Sequence, residues 1–269
     1  STLTRLSAPV ELMVAQMDYI GVDKAALHHG HVYGRLNRVL ADAVRDYPDR
    51  FWGVAQVDEW LVDQSSQVRA LDRAIDEMGL RAVWYASTGL GLHKRAERVD
   101  DPVFQPFWDH VRDLGIPVFW VVSSVYPKKE AFLAELAAFD RWLERNPDIP
   151  VLLTHGLPLA KFMEGGKVSL PAAVWKPLQA PNLMMEILLP IFQGAIWEYP
   201  YVETQPTIRE YYERMGPDKL VWGSDMPNVE RHCTYKQCLD YLRLYCDFIP
   251  QDDMAKICGD NMVKLFQPS

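Results

Sequence analysis

Amphipathic helices alternating with short apolar runs, each pair punctuated by Gly or Pro, predict an α/β fold for this 269-residue chain. Two further observations favour a TIM-like (β/α)8 barrel over an open doubly wound sheet. Seven such apolar runs make an eight-stranded barrel the nearest closed solution, and no GxGxxG or GxxxxGK[ST] phosphate loop follows any of them. Because no Ser/Gly-rich linker, charge block or low-complexity tract divides residues 1–269, one barrel domain is expected.

Taken in order, Ala8–Ile20 steps its apolar residues by three and four and stops at Gly21, which reads as a helix with a glycine cap. Lys24–Leu27 is a short strand candidate that runs into His28-His29-Gly30-His31. Helix Arg35–Asp46 precedes strand Phe51–Val57, helix Gln64–Met78 precedes Leu80–Tyr85, and helix Pro102–Leu114 precedes Ile116–Val122. Helix Lys128–Arg145 leads through the Pro147/Pro150 turn to strand Val151–Thr154. After a Gly/Pro-broken insert come strand Asn182–Ile187, helix Thr204–Met215 and strand Leu220–Gly223, and helices Tyr235–Asp247 and Gln251–Phe266 close the chain. Strands near residues 24, 51, 80, 116, 151, 183 and 220 leave one strand of an eight-stranded barrel unaccounted for.

Composition restricts the partners. Hydrophobic residues make up 49% and aromatics 12%, enough for a large core, and this excludes disorder. A net charge of −8 without a Lys/Arg cluster argues against nucleic acid, whose backbone is bound by neutralising phosphates. A small molecule is the expected ligand. The longest apolar stretches, Pro117–Val122 and Leu183–Phe192, are too short or interrupted to span a membrane. Cys233, Cys238, Cys246 and Cys258 form no CxxC pair, so buried thiols in a reducing, cytoplasmic setting are expected.

In a barrel the strand ends open into one bowl, and here they carry His28/His29/His31, Asp58/Glu59, Ser87/Thr88, Ser123/Ser124, His155, Glu186 and Asp225. Imidazoles and carboxylates converging in a bowl suit metal ligation or general acid–base chemistry. Asp225 follows the apolar run Leu220–Trp222 in Gly223-Ser224-Asp225-Met226-Pro227. His155 follows Val151–Thr154. His29 and His31 form an His-x-His whose rings, in an extended segment, would lie on one side and could chelate a metal. Arg231, after the Asp225 turn, is a candidate for bidentate pairing with a substrate carboxylate.

These segments together resemble the amidohydrolase-related family of metal-dependent hydrolase and decarboxylase barrels. The likeness runs from Met17-Asp18-Tyr19-Ile20-Gly21-Val22-Asp23-Lys24-Ala25 through Tyr47–Gly53 and Thr154-His155-Gly156 to Gly216–Pro227 and Gly259–Phe266. It implies that the first barrel strand, with the family's own His-x-His, is missing from this chain. It further implies that Asp225 and His155 are metal-ligand or catalytic positions, and that Val121 lies about where a fifth-strand histidine would stand.

The expected activity is hydrolysis of a small, carboxylated or cyclic substrate. Asp225 would activate water, with or without one divalent metal (Zn, Mn or Fe), His155 would polarise the carbonyl, and His29, His31, Glu186 and Arg231 would line the substrate. Two alternatives are metal-dependent decarboxylation of an aromatic acid and a non-catalytic barrel subunit docked on an active relative. A homo-oligomer, or a hetero-oligomer with a related barrel, is expected.

Overall fold

The computed structural model describes residues 8–122, 128–188 and 198–267. Helix α1 (Val10–Ile20) ends at Gly21, whose φ of 78° lets its N–H reach the Met17 carbonyl. Then follow β1 (Ala25–Leu27), α2 (Asn37–Asp46), β2 (Phe51–Gln56), α3 (Ser65–Asp72), β3 (Ala82–Ala86), α4 (Thr88–Leu92), α5 (Gln105–Asp113), β4 (Val118–Val121), α6 (Lys129–Arg145) and β5 (Val151–Leu153). The antiparallel hairpin of β6 (Met163–Glu164) and β7 (Lys167–Val168) leads to α7 (Ala172–Leu178), β8 (Leu183–Ile187), α8 (Gln205–Met215) and β9 (Leu220–Trp222). Helices α9 (Tyr235–Arg243), α10 (Gln251–Ala255) and α11 (Asn261–Leu265) complete the chain.

Seven strands form one parallel sheet in the order β1-β2-β3-β4-β5-β8-β9. The sheet curls as a (β/α)8 barrel does, and β1 and β9 are its two edges. All seven strands predicted from sequence are present, and among the described residues no strand fills the gap between these edges.

Alternation along the strands sorts the core into two layers. Trp52, Val54, Ala82, Trp84, Phe119, Leu152 and Val221 turn inward, where Leu265 and Phe266 join them. The Phe266 ring stacks on Trp52 with centroids 4.7 Å apart and planes 5° apart, so the chain's last helix fills one end of the curl. On the outer face Val83, Tyr85, Val118, Trp120 and Leu153 pack under the helices with Trp108, Phe139 and Trp142. Trp120 lies 4.5 Å from Trp142 and 4.6 Å from Tyr85 between ring centroids, a dense aromatic contact that fastens α5 and α6 to the sheet.

The open side is covered from outside. Met17 and Ile20 of α1 pack with Phe51, Tyr235 and Leu239, and with Ala25 and Leu27 of β1 and Trp222 of β9, in a third apolar cluster that bridges the two edge strands. The start of β9 is held by Asn261, whose Nδ2 donates to the carbonyls of Pro217 (2.7 Å) and Leu220 (2.8 Å).

Several expectations need adjustment. Helix Gln64–Met78 is α3 followed by a π turn at Arg73–Glu77, and helix Gln251–Phe266 is α10 and α11 joined by a π turn at Lys256–Asp260. Helix α4, helix α7 with its internal Pro177, and the hairpin at Gly165-Gly166 carry Gly or Pro that conceals their periodicity in the sequence. Ser123 and Ser124 lie outside the described residues. The four cysteines are free thiols, Cys238 and Cys246 being buried. No described helix is long and apolar enough to cross a membrane.

Asn261→Ala should lower unfolding stability by about 1–3 kcal/mol, because it leaves two carbonyls at a partly buried position without their donor. Urea unfolding followed by tryptophan fluorescence measures this.

Candidate active site

Burial of Glu186 organises the strand ends. It is the fourth residue of β8, its side chain is 8% exposed, and its Oε2 accepts from the His155 backbone N–H at 2.5 Å. On its other side stands Gly223, just past β9. A Cβ there would fall 1.6 Å from Glu186 Oε1, so glycine leaves the carboxylate its place and any side chain would push it aside. Burial pushes the Glu186 carboxyl up to about 7; the His155 N–H opposes that shift, and the charge of Asp225 adds to it.

Asp225 lies two residues beyond Gly223. Burial raises its carboxyl to about 6, against the hydrogen bond from Asn228 and the charge of Arg231. Asn228 Nδ2 is 3.3 Å from Oδ1, while Oδ2 is buried with no hydrogen bond from a described residue. Asn228 in turn meets the Tyr33 hydroxyl, 2.9 Å from Nδ2 and 3.2 Å from Oδ1. Arg231 is exposed at the rim, its Nε donating to the Asn228 carbonyl at 3.3 Å.

His155 and Asp225 both hold left-handed backbone, with φ of 66° and 52°. For residues carrying a Cβ this costs on the order of 1 kcal/mol each, and such strain collects where a side chain must be aimed. The next residue, Gly156, is also left-handed, and a Cβ there would fall 2.7 Å from the Glu186 carbonyl. The His155 ring faces His28, with centroids 6.0 Å apart, and His28 lies 5.8 Å from Phe119. Burial holds His155 down to about 4. Burial, followed by the charges of His155 and His29, holds His28 down to about 3. Both imidazoles are therefore neutral at pH 7.

The strand-end residues thus divide into two groups. Glu186, Asp225 and His155 come together, with His28 beside them and Arg231 at the rim. His29 and His31 are separated by the Gln56 amide: His29 Nε2 lies 2.8 Å from Gln56 and accepts from the Leu36 N–H at 3.1 Å, and His31 Nδ1 lies 2.8 Å from the same amide in the orientation that satisfies both rings. His31 Nε2 forms an ion pair with the fully buried Glu59 and also meets the Val57 carbonyl at 3.1 Å. Burial opposes charge on His31, but Glu59 outweighs it and raises the imidazole. The His29 and His31 rings thus engage opposite ends of one amide, with His31 Nε2 turned to Glu59.

Sequence reasoning did not single out Gly223, Asn228 or Tyr33. For Asn228 the one available signal was its place in the turn three residues after Asp225. Tyr33 gave none, since its contact spans 195 residues.

A family model described as Amidohydrolase matches residues 3–267, and the chain belongs to that family. Among solved structures it is similar to a probable 2-pyrone-4,6-dicarboxylic acid hydrolase from Acinetobacter baumannii with citric acid bound (19% identity, 97% of this chain and 89% of that one, TM-score 0.70). It is also similar to 2,6-dihydroxybenzoate decarboxylase from Rhizobium (18%, 95% and 87%, TM-score 0.67) and to a dihydroxybenzoic acid decarboxylase from Polaromonas sp. JS666 with bound manganese (18%, 94% and 84%, TM-score 0.64). At these identities the likeness establishes the fold. Comparison with curated protein sequences finds no match.

A manganese-type centre does not fit the described residues. Among them no group of three or more His, Cys, Asp or Glu side chains is arranged to hold a metal ion, and Val121 ends β4 with an aliphatic side chain. Asp225 and His155 alone fall short of the usual ligand number.

The raised carboxyl of Glu186 makes its contribution to stability pH-dependent. Because its folded value of about 7 lies above the ordinary 4.5, the folded state holds the proton more tightly. Stability from this group is therefore present at pH 4 and lost as pH rises towards 7. Glu186→Gln keeps an acceptor for His155 and should melt higher than the parent at pH 8, by on the order of 2 kcal/mol, with the gain vanishing near pH 4.5. Thermal melts across pH 4.5–8 provide the check.

Proposed function

We propose that this chain is a hydrolase of a small cyclic or carboxylated ester, a lactone being the best-suited substrate. The observation that carries this is Asp225 Oδ2, a buried carboxylate oxygen with no hydrogen bond from a described residue, on a group whose raised carboxyl titrates near 6. A base of that kind is ionised at neutral pH yet basic enough to accept a proton from water.

In this reading, water adds through oxygen to the acyl carbon as Asp225 takes its proton. The C–O bond to the leaving group then breaks, and Asp225 returns the proton to the departing oxygen. His155, neutral in its buried position, supplies a hydrogen bond to the carbonyl oxygen as negative charge develops there. Arg231 at the rim supplies the cation for a substrate carboxylate. Glu186 supports the site by holding the His155 backbone; the binding assignments of His29 and His31 become indirect, through the networks of Gln56 and Glu59. A positioned carboxylate base supplies about 10²–10⁴-fold, which suits a lactone or activated ester better than an amide. No step is assigned to a divalent metal.

The decarboxylase reading rests on the same group. A carboxyl near 6 is partly protonated at neutral pH, so Asp225 can instead deliver a proton to the ring carbon that loses carbon dioxide. Two assays separate the readings: ring opening of 2-pyrone-4,6-dicarboxylate followed by ultraviolet absorbance, and carbon dioxide release from 2,6-dihydroxybenzoate.

Asp225→Asn should lower kcat by at least about 10²-fold while the protein remains folded. For the parent enzyme, kcat/KM for hydrolysis should fall below about pH 6 as Asp225 becomes protonated. Hydrolysis should survive dialysis against a chelator, and elemental analysis should find Zn, Mn and Fe well below one per chain. Stoichiometric metal whose removal abolishes turnover would contradict this mechanism.

A further inference from the structure

The two loops that flank the open side of the sheet meet through side chains. The loop after β1 contains the turn His31–Tyr33 between Gly30 and Gly34, and the loop after β9 contains the turn Asn228–Arg231. No strand ladder joins β1 to β9 among the described residues, yet Tyr33 and Asn228 connect the loops above the opening. Asn228 is 8% exposed and reaches the Asp225 carboxylate with the same amide that meets the Tyr33 hydroxyl.

The amide has one donor end and one acceptor end, and only the donor end favours a carboxylate. Its Nδ2 carries two protons, which match its two neighbours, Asp225 Oδ1 at 3.3 Å and the Tyr33 hydroxyl oxygen at 2.9 Å. The hydroxyl also lies 3.2 Å from Oδ1 of the amide and can donate there. Without the hydroxyl, the side-chain amide keeps only its 3.3 Å hydrogen bond to Asp225, and no other described residue fixes its angle. The carboxylate would then be tied through a loosely held amide and lose its fixed aim, because Oδ2 receives no hydrogen bond from a described residue.

We propose that Tyr33 and Asn228 are positioning residues for Asp225: the Tyr33 hydroxyl orients the Asn228 amide, which ties Oδ1 of the carboxylate and leaves Oδ2 directed at the reacting molecule. The proposal rests on the reading of Asp225 as the proton-transferring group. Across the open side of the sheet, this contact performs the alignment that backbone pairing performs elsewhere in the barrel.

The test compares the parent with Tyr33→Phe, Asn228→Ala, the double variant and Asp225→Asn, using 2-pyrone-4,6-dicarboxylate and 2,6-dihydroxybenzoate as probes. With whichever probe is turned over, Tyr33→Phe should lower kcat about tenfold and leave KM within about twofold, since the hydroxyl reaches the reaction only through the base. Asn228→Ala should lower kcat at least as far. The double variant should match Asn228→Ala alone, because members of one relay are not additive. A Tyr33→Phe enzyme with parental kcat, or losses that multiply in the double variant, overturns the relay.

A second readout does not depend on turnover. The side-chain amide resonances of Asn228, identified by their loss in Asn228→Ala, should move in both Tyr33→Phe and Asp225→Ala; resonances unmoved by either change overturn the relay. If neither probe reacts, or if Asp225→Asn keeps parental kcat, the proposed function fails, and the amide resonances alone decide whether the relay exists.

Discussion

A carboxylate buried among three strand ends is the constraint on which the candidate site depends. Glu186 leaves β8 towards the interior, takes the His155 N–H on one side and fills the space above Gly223 on the other. Removing a carboxylate from water is unfavourable unless donors compensate, and here one short backbone hydrogen bond offsets only part of that cost while Asp225 adds to it. The effects follow in sequence. His155 and Gly156 hold left-handed backbone beside Glu186, a Cβ at Gly223 would displace the carboxylate, and two neighbouring carboxyls are both held protonated to higher pH than usual.

This arrangement costs stability above pH 7 and confers basicity near neutral pH. Asp225 in a polar, solvated turn would be a weak base with a fixed charge. Placed in the buried bowl, with one oxygen tied to Asn228 and the other without a donor from a described residue, it can exchange a proton nearer neutral pH. His155 contributes as a neutral imidazole for the same reason, because burial disfavours its charged form.

The opening between β1 and β9 explains why side chains take on alignment duties here. In a closed barrel each strand is registered by two neighbours; among the described residues β1 and β9 each have one. The bridging cluster of Met17, Ile20, Tyr235, Leu239 and Trp222 and the Tyr33–Asn228 contact join the two sides of that opening, and the Asn261 bonds hold the start of β9. Phe266 stacked on Trp52 seals the inner layer from the end of the chain.

Local pattern was sufficient to read much of this from sequence. Apolar runs bounded by Gly and Pro located all seven parallel strands, since burial of a strand on both faces needs continuous hydrophobicity whatever its neighbours are. Asp225, His155 and Glu186 were legible because strand ends of one curled sheet converge. Other features depended on partners far away in the chain. His29 and His31 share an His-x-His spacing, yet their rings separate because Gln56 and Glu59, contributed by the next strand and its loop, claim different nitrogens. Gly223 looked like turn punctuation, and its necessity comes from a carboxylate 37 positions earlier. The sequence by itself determined the strands, their order as β-α units and which polar residues stand at the strand ends, because these follow from periodicity and residue chemistry. Tertiary structure alone decided which polar groups meet, how far burial raises their carboxyls, and that Tyr33 reaches Asn228, because each of these depends on distances between segments that no local pattern encodes.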